Sequence, residues 1–281
     1  MASGWPPLNM TTKEGKVIGK GQIVFDGYDL AVAGIALPSI MKEMGVDATK
    51  AGFMVSSALF GMMFGAIFLG TIADKIGRRW AIAICIVLFS VFTALAGLTK
   101  DPVWFSATRF LAGLGIGGVM PNVVAQMTEY SPQKIRATMV TLMFSGYAVG
   151  GMLAAVLGKQ FIEAYGWQSV FFAAGLPVLL IPFIMKSMPE SMPFLLKQGR
   201  HDELKAIVER LQPGFRPTAS DHFALPSEDK ADNATVGHLF HEGRGFSTLM
   251  FWIAFFMCLF MVYALSSWLT KLMASAGYSL G

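Results

Sequence analysis

Seven long apolar runs dominate this sequence, at roughly 18–41, 51–72, 80–98, 103–126, 138–160, 168–186 and 248–271, each near the 20 or so residues a helix needs to cross hydrocarbon. They are continuously apolar rather than alternating, which favours helices over the strands of a barrel. With 54% of its 281 residues hydrophobic, 14% charged and a mean hydropathy of +0.55, the chain holds far more apolar surface than a water-soluble core requires. The expected fold class is an all-α, multi-spanning membrane protein. A net charge of +4 does not point to nucleic acid, because Lys and Arg sit in short clusters between the runs instead of along one basic face. Cys85 and Cys258 each fall inside a run, so no disulfide is expected. The first sixteen residues lack the apolar core and small-residue cleavage site of a secretory signal, and the first run is expected to stay in the mature protein.

The links are short except between the sixth and seventh runs. This organises the chain as a six-helix bundle over 1–186, a polar loop over 187–247 and a lone helix over 248–281. The loop contains all four histidines, at no metal-ligand spacing, so solvated side chains and no metal are expected. Within it, HDELKAIVERL sets Leu204, Ile207, Val208 and Leu211 at helical spacing, a short amphipathic helix against the inner face. From Gln212 to about Val236, Pro213, Pro217 and Pro226 in polar sequence favour a linker. Lys and Arg decide the orientation: sixteen lie on the side of the N-terminus and the long loop, five on the other, and Arg109 lies within a run. The N-terminus and the loop are thus expected in the cytoplasm, and the C-terminus outside.

Two carboxylates interrupt the first run, in QIVFDGYDLAVAGIALPSIM. Asp26 and Asp29 are three residues apart and share a helix face, roughly 12 and 16 Å into the membrane. An ionised Asp there costs on the order of 2.5–3.5 kcal/mol, which points to a proton-binding or substrate-coupling pair facing a water-filled cavity. The competing reading starts the helix at Leu30 with both carboxylates capping it in water, which leaves only Leu30 to Met41 to span. Arg109 enters from the opposite side to a depth within about one helical turn of Asp29, so the two can pair if their helices face each other. The alternative is an Arg109 that snorkels to the outer interface.

Glycines four apart recur in GMMFG (Gly61, Gly65), GLGIG (Gly113, Gly117) and GYAVG (Gly146, Gly150), flat stripes against which a neighbouring helix can pack closely. Between the second and third runs, GTIADKIGRR packs a carboxylate, glycines and paired arginines into ten residues, where a plain turn needs only positive charge.

That loop resembles the signature loop of the major facilitator superfamily. Gly70, Asp74, Gly77, Arg78 and Arg79 match the residues that form a cytoplasmic latch between the two halves of such transporters. DGYDLAVAG, RFLAGLGIGGVMPN followed by EYSP, PESMPFLL and YALSSWLTKLMASAGYSL resemble the aromatic acid/proton symporter branch over nearly the whole chain. Asp26 and Asp29 match the branch's DGxD carboxylates, and Gly113, Gly117, Pro121, Asn122, Glu129 and Arg136 fall at further motif positions. Met192 and Pro193 depart from the Pro and Arg that usually follow PES, and Thr270 replaces a proline common after the Trp of the seventh helix.

The resemblance implies the superfamily's fold and a proton-coupled symporter that imports an aromatic carboxylate, such as benzoate or hydroxybenzoate, by alternating access in a bacterial inner membrane. Asp26, Asp29 and Arg109 would couple protons to substrate. No cofactor is implied. The family has twelve helices, so this chain is expected to be the N-terminal half plus one helix, whose partners are the bilayer and either a missing C-terminal half or a second copy. Phosphate-binding loops, metal clusters and nucleophile–base arrangements do not occur in the sequence, and an enzyme is not expected. A sugar porter of the same superfamily and a non-transporting sensor or assembly protein are the rival readings.

Overall fold

The computed structural model describes residues 13–131, 133–211, 243 and 245–277. Its elements are α1 (Lys13–Met44), α2 (Ala48–Ile76), α3 (Arg78–Ala96), α4 (Pro102–Tyr130), α5 (Arg136–Tyr165), α6 (Gln168–Ala173), α7 (Ile181–Ser187), α8 (Met192–Lys197), α9 (His201–Leu211) and α10 (Gly245–Ser275). Seven candidate membrane spans emerge from them: α1 to α5 singly, 168–186 as the sixth and α10 as the seventh. The linker expected over 212–236 lies outside the described residues.

Local chemistry sets the turns. Asp47 accepts the Lys50 amide at 3.1 Å and begins α2, and Asp101 accepts the Val103 amide at 2.6 Å just before Pro102 opens α4. Gly77 joins α2 to α3 with φ at +95°, a conformation that suits glycine. The sixth span is not the single helix expected of an unbroken apolar run. It breaks into α6, a 3₁₀ stretch over Leu176–Leu180, and α7. Pro177 and Pro182 lack the amide donors an α-helix needs there, and both sit where a new segment starts. α1, by contrast, runs unbroken past both aspartates, so the reading that started it at Leu30 is wrong.

Glycine governs the closest helix pairs. α2 and α4 interlock: a Cβ on Gly61 or Gly65 would overlap the Phe110 or Leu114 carbonyl, and one on Gly113 or Gly117 would overlap that of Ala58 or Met62. α1 and α5 repeat the device through Gly27 against the Tyr147 carbonyl and Gly150 against that of Val24. α3 packs behind α4 and against the sixth span, α9 packs on α8 through the buried Leu204, and α10 lies along α1 with its flanks exposed.

Two apolar clusters stack along the bundle. One gathers Val32, Ile40, Met54, Phe105, Trp167 and Phe171; the other gathers Ile23, Ile82, Ile86, Val123, Met143 and Ile184. The helices that contribute to both place their polar residues between them: Asp26 and Asp29 on α1, Ser90 and Thr93 on α3, Arg109 on α4.

Candidate functional site: a buried charge layer and a strapped helix end

That layer is closed by protein. Asp26, Asp29 and Arg109 are 3%, 0% and 2% exposed. Arg109 donates from Nη1 to Asp29 Oδ1 at 2.7 Å and from Nη2 to Oδ2 at 2.8 Å, a two-pronged ion pair between α4 and α1. Thr93 Oγ1 donates to Asp29 Oδ1 at 3.2 Å, and the guanidinium lies 5.8 Å from the Phe171 ring centre. The snorkelling alternative for Arg109 fails, because an inward carboxylate at hydrogen-bond distance outweighs a stretch towards the interface. Two groups stand apart. Asp26 Oδ2 and Ser90 Oγ are buried with no hydrogen-bond partner among the described residues.

The expectation that both carboxylates line a water-filled cavity needs correcting. In this conformation α4, α5 and α10 pack against α1 and Thr93 of α3 reaches Asp29, leaving both carboxylates buried, and depth counting had no means of placing those neighbours.

A second cluster sits where α2 turns into α3. Arg78 Nε meets Glu129 Oε1 at 3.0 Å, and its Nη2 lies 3.6 Å from the largely exposed Asp74. Glu190, after α7, folds its carboxylate under the turn: Oε1 accepts the Arg79 amide at 3.1 Å and the Ser191 amide at 2.9 Å. The space a Cβ on Gly77 would take is filled by that carboxylate, with Oε2 at 2.6 Å. Ser191 Oγ donates to Glu129 Oε2 at 2.9 Å, Tyr130 Oη to the Glu190 carbonyl at 2.6 Å, and Gln126 Nε2 to the Pro189 carbonyl at 2.7 Å. The segment following the sixth span is thereby strapped to α4 and to the N-terminus of α3.

Of the other motif positions, Gly113 and Gly117 serve the α2–α4 contact, and Pro121 lies 3.9 Å from where a Gly70 Cβ would sit. Asn122 Nδ2 donates to the Gly118 carbonyl at 2.8 Å. Arg136 is exposed at the start of α5. Sequence reasoning did not single out Thr93, Ser90, Gln126, Tyr130, Glu190 or Ser191 as site residues. PESMPFLL had marked Glu190 and Ser191 as motif, whereas a Thr and a Ser inside an apolar run carry no signal of their own.

The Major Facilitator Superfamily model matches residues 22–281. The chain belongs to the major facilitator superfamily. Within it, the chain is 49% identical over 264 residues to a benzoate transport protein of Acinetobacter baylyi, covering 92% of this chain and 57% of that protein. It is 34% identical to the 4-hydroxybenzoate transporter PcaK of the same organism, covering 92% and 58%, and 32% identical to a gallate transporter of Pseudomonas putida, also 92% and 58%. These family members are named as transporters, not enzymes, and the chain spans little more than half of their length. Among solved structures, the fold resembles a partially occluded, inward-open xylose transporter XylE from E. coli, with a TM-score of 0.63 at 21% identity over 70% of this chain and 54% of that one. An inward-facing bacterial homologue of the human lysosomal transporter Spinster gives 0.66 at 21% identity over 96% and 58%.

Proposed function

We propose that this sequence forms the N-terminal half and seventh helix of a proton-coupled symporter that imports an aromatic carboxylate, of the benzoate or hydroxybenzoate kind, across a bacterial inner membrane. The observation that carries the reading is the charge layer: a paired Asp29 and Arg109 and an unpaired Asp26, enclosed between two apolar clusters in the middle of the bundle. An anion crossing hydrocarbon needs its charge compensated, and this layer offers both a cation and a carboxylate able to carry a proton. The names of the relatives supply the substrate class.

In this reading residues 1–186 are one rocking half, the loop from 187 to 247 is cytoplasmic, and 248–281 opens the second half. The distribution of Lys and Arg supports an N-terminus in the cytoplasm with it. Asp74, Gly77, Arg78 and Arg79 form the latch, and Glu129 with the Glu190 strap holds its shape on this side of the transporter.

The test is proton-driven uptake of labelled benzoate in proteoliposomes by a twelve-helix version carrying this sequence, beside the 281-residue chain alone. Accumulation by the long form, its loss in Asp26→Asn and in Asp29→Asn, and none by the short form are expected. Uptake of glucose instead of benzoate would move the protein to the sugar porters, and no uptake of either would favour the sensor reading. Comparable uptake by the short form would make a dimer of two copies the better account. Reporter fusions after Gln198 and after Gly281 should lie on opposite faces of the membrane; the same face for both refutes the orientation.

A further inference from the structure

The two aspartates of the charge layer are not equivalent. Asp29 is complete: Oδ1 takes Arg109 Nη1 and Thr93 Oγ1, and Oδ2 takes Arg109 Nη2. Both of its oxygens accept from a guanidinium that stays charged, so the negative charge of Asp29 is matched by a cation at hydrogen-bond distance. Asp26 is incomplete. Its Oδ2 is buried without a partner, and no Lys or Arg forms an ion pair with it among the described residues.

Among the described residues, the groups that face Asp26 electrostatically include Asp29 on its own helix, Cys85 of α3, Tyr147 of α5 and Tyr263 of α10. All are acids, and none can balance a negative charge. With Asp26 neutral the layer sums to zero, one charge from Asp29 against one from Arg109. With Asp26 ionised, an uncompensated anion lies beside another carboxylate inside an apolar bundle, the arrangement that burial disfavours most.

We propose that Asp26, and not Asp29, carries the transported proton, with Asp29 kept as the standing counter-charge of Arg109. The proton arrives from one aqueous face, the O–H bond forms on Asp26, and it breaks when that carboxylate opens to the other face; no further reactant takes part. Ser90 belongs to the same arrangement. α1 and α3 cross the membrane in the same direction, and Ser90 precedes Thr93 by the same three residues by which Asp26 precedes Asp29. Ser90 thus occupies on α3 the step that corresponds to Asp26 on α1, as Thr93 corresponds to Asp29, and its hydroxyl is likewise buried and unpartnered. This assignment deepens the transport reading and rests on it for its purpose, but its test needs neither substrate nor transport.

The test is pH-difference infrared spectroscopy of the full-length protein carrying this sequence, in lipid and without substrate, followed through the carboxylic C=O band that shifts in D2O. One such band should titrate in the unaltered protein and vanish in Asp26→Asn. It should persist in the Asp29→Asn/Arg109→Gln double variant, which removes the pair without stranding either charge. Asp26→Glu, which guards against a misfolded Asn variant, should move the band without abolishing it. A band that survives Asp26→Asn, is lost in the double variant, stays unmoved in Asp26→Glu or is missing from the unaltered protein overturns the assignment. Failed benzoate uptake with the band behaving as expected would count against the substrate and leave the proton site standing.

Discussion

The Asp29–Arg109 pair yields a quantitative expectation. Arg109→Ala strips Asp29 of two of its three hydrogen bonds and of its only ion-pair partner among the described residues, at a site with 0% exposure. Breaking a buried pair from one side costs about 3–5 kcal/mol, because the surviving charge has no water to return to. Asp29→Ala leaves the guanidinium beside the Phe171 ring, with a loss of the same order. If the two effects were independent, the double variant would lose about 6–10 kcal/mol. Removing both partners leaves no stranded charge. What remains is a void, on the order of 2–5 kcal/mol, and a Thr93 hydroxyl without its acceptor, about 1–3 kcal/mol. The double variant should therefore fall short of the sum of the singles by about 2 kcal/mol or more. Unfolding of the purified chain in mixed micelles, followed by far-ultraviolet circular dichroism with rising denaturing detergent, measures all four corners of the cycle. Additive losses would mean that the pair is not an energetic unit, and would remove the argument that the layer is electrically closed around Asp29.

Two further expectations follow from the helix contacts. Gly150→Leu should destabilise the bundle by more than the 1–3 kcal/mol or so of ordinary overpacking, since its Cβ would overlap the Val24 main chain, while Gly151→Leu next to it, where a Cβ meets nothing within 4 Å, should be near neutral. Equal thermal stability of the two variants in micelles refutes the α1–α5 contact. Glu190→Ala should cost about 1 kcal/mol, as the loss of a helix cap does, and speed tryptic cleavage after Arg78 or Arg79; Glu190→Gln, which keeps an acceptor oxygen, should retain most of the protection. Identical cleavage in all three proteins would show that the strap does not hold the turn.

The membrane-spanning character of this protein is written into composition and run length, because a lipid-exposed backbone must close its own hydrogen bonds and helices of about 20 residues are the direct way to do so. The glycine pairs and the signature loop were legible for a similar reason: a residue without a side chain four positions from another, or paired arginines beside an aspartate at a short turn, are local patterns. Their partners were not. Nothing in GLGIG states that it faces Ala58 and Met62, and nothing in PES states that its carboxylate fills the hollow under Gly77. The break in the sixth span was visible as Pro177 and Pro182 and was hidden by the hydropathy of the run around them. Asp26, Asp29 and Arg109 drew attention because charge inside hydrocarbon is costly, and helical rise placed Asp29 and Arg109 at similar depth. Depth along a helix is a one-dimensional quantity, whereas pairing depends on how four helices are rotated about their axes. Only the packed bundle decided that Asp29 takes both prongs of Arg109 and the Thr93 hydroxyl, and that Asp26, three residues away on the same face, takes neither.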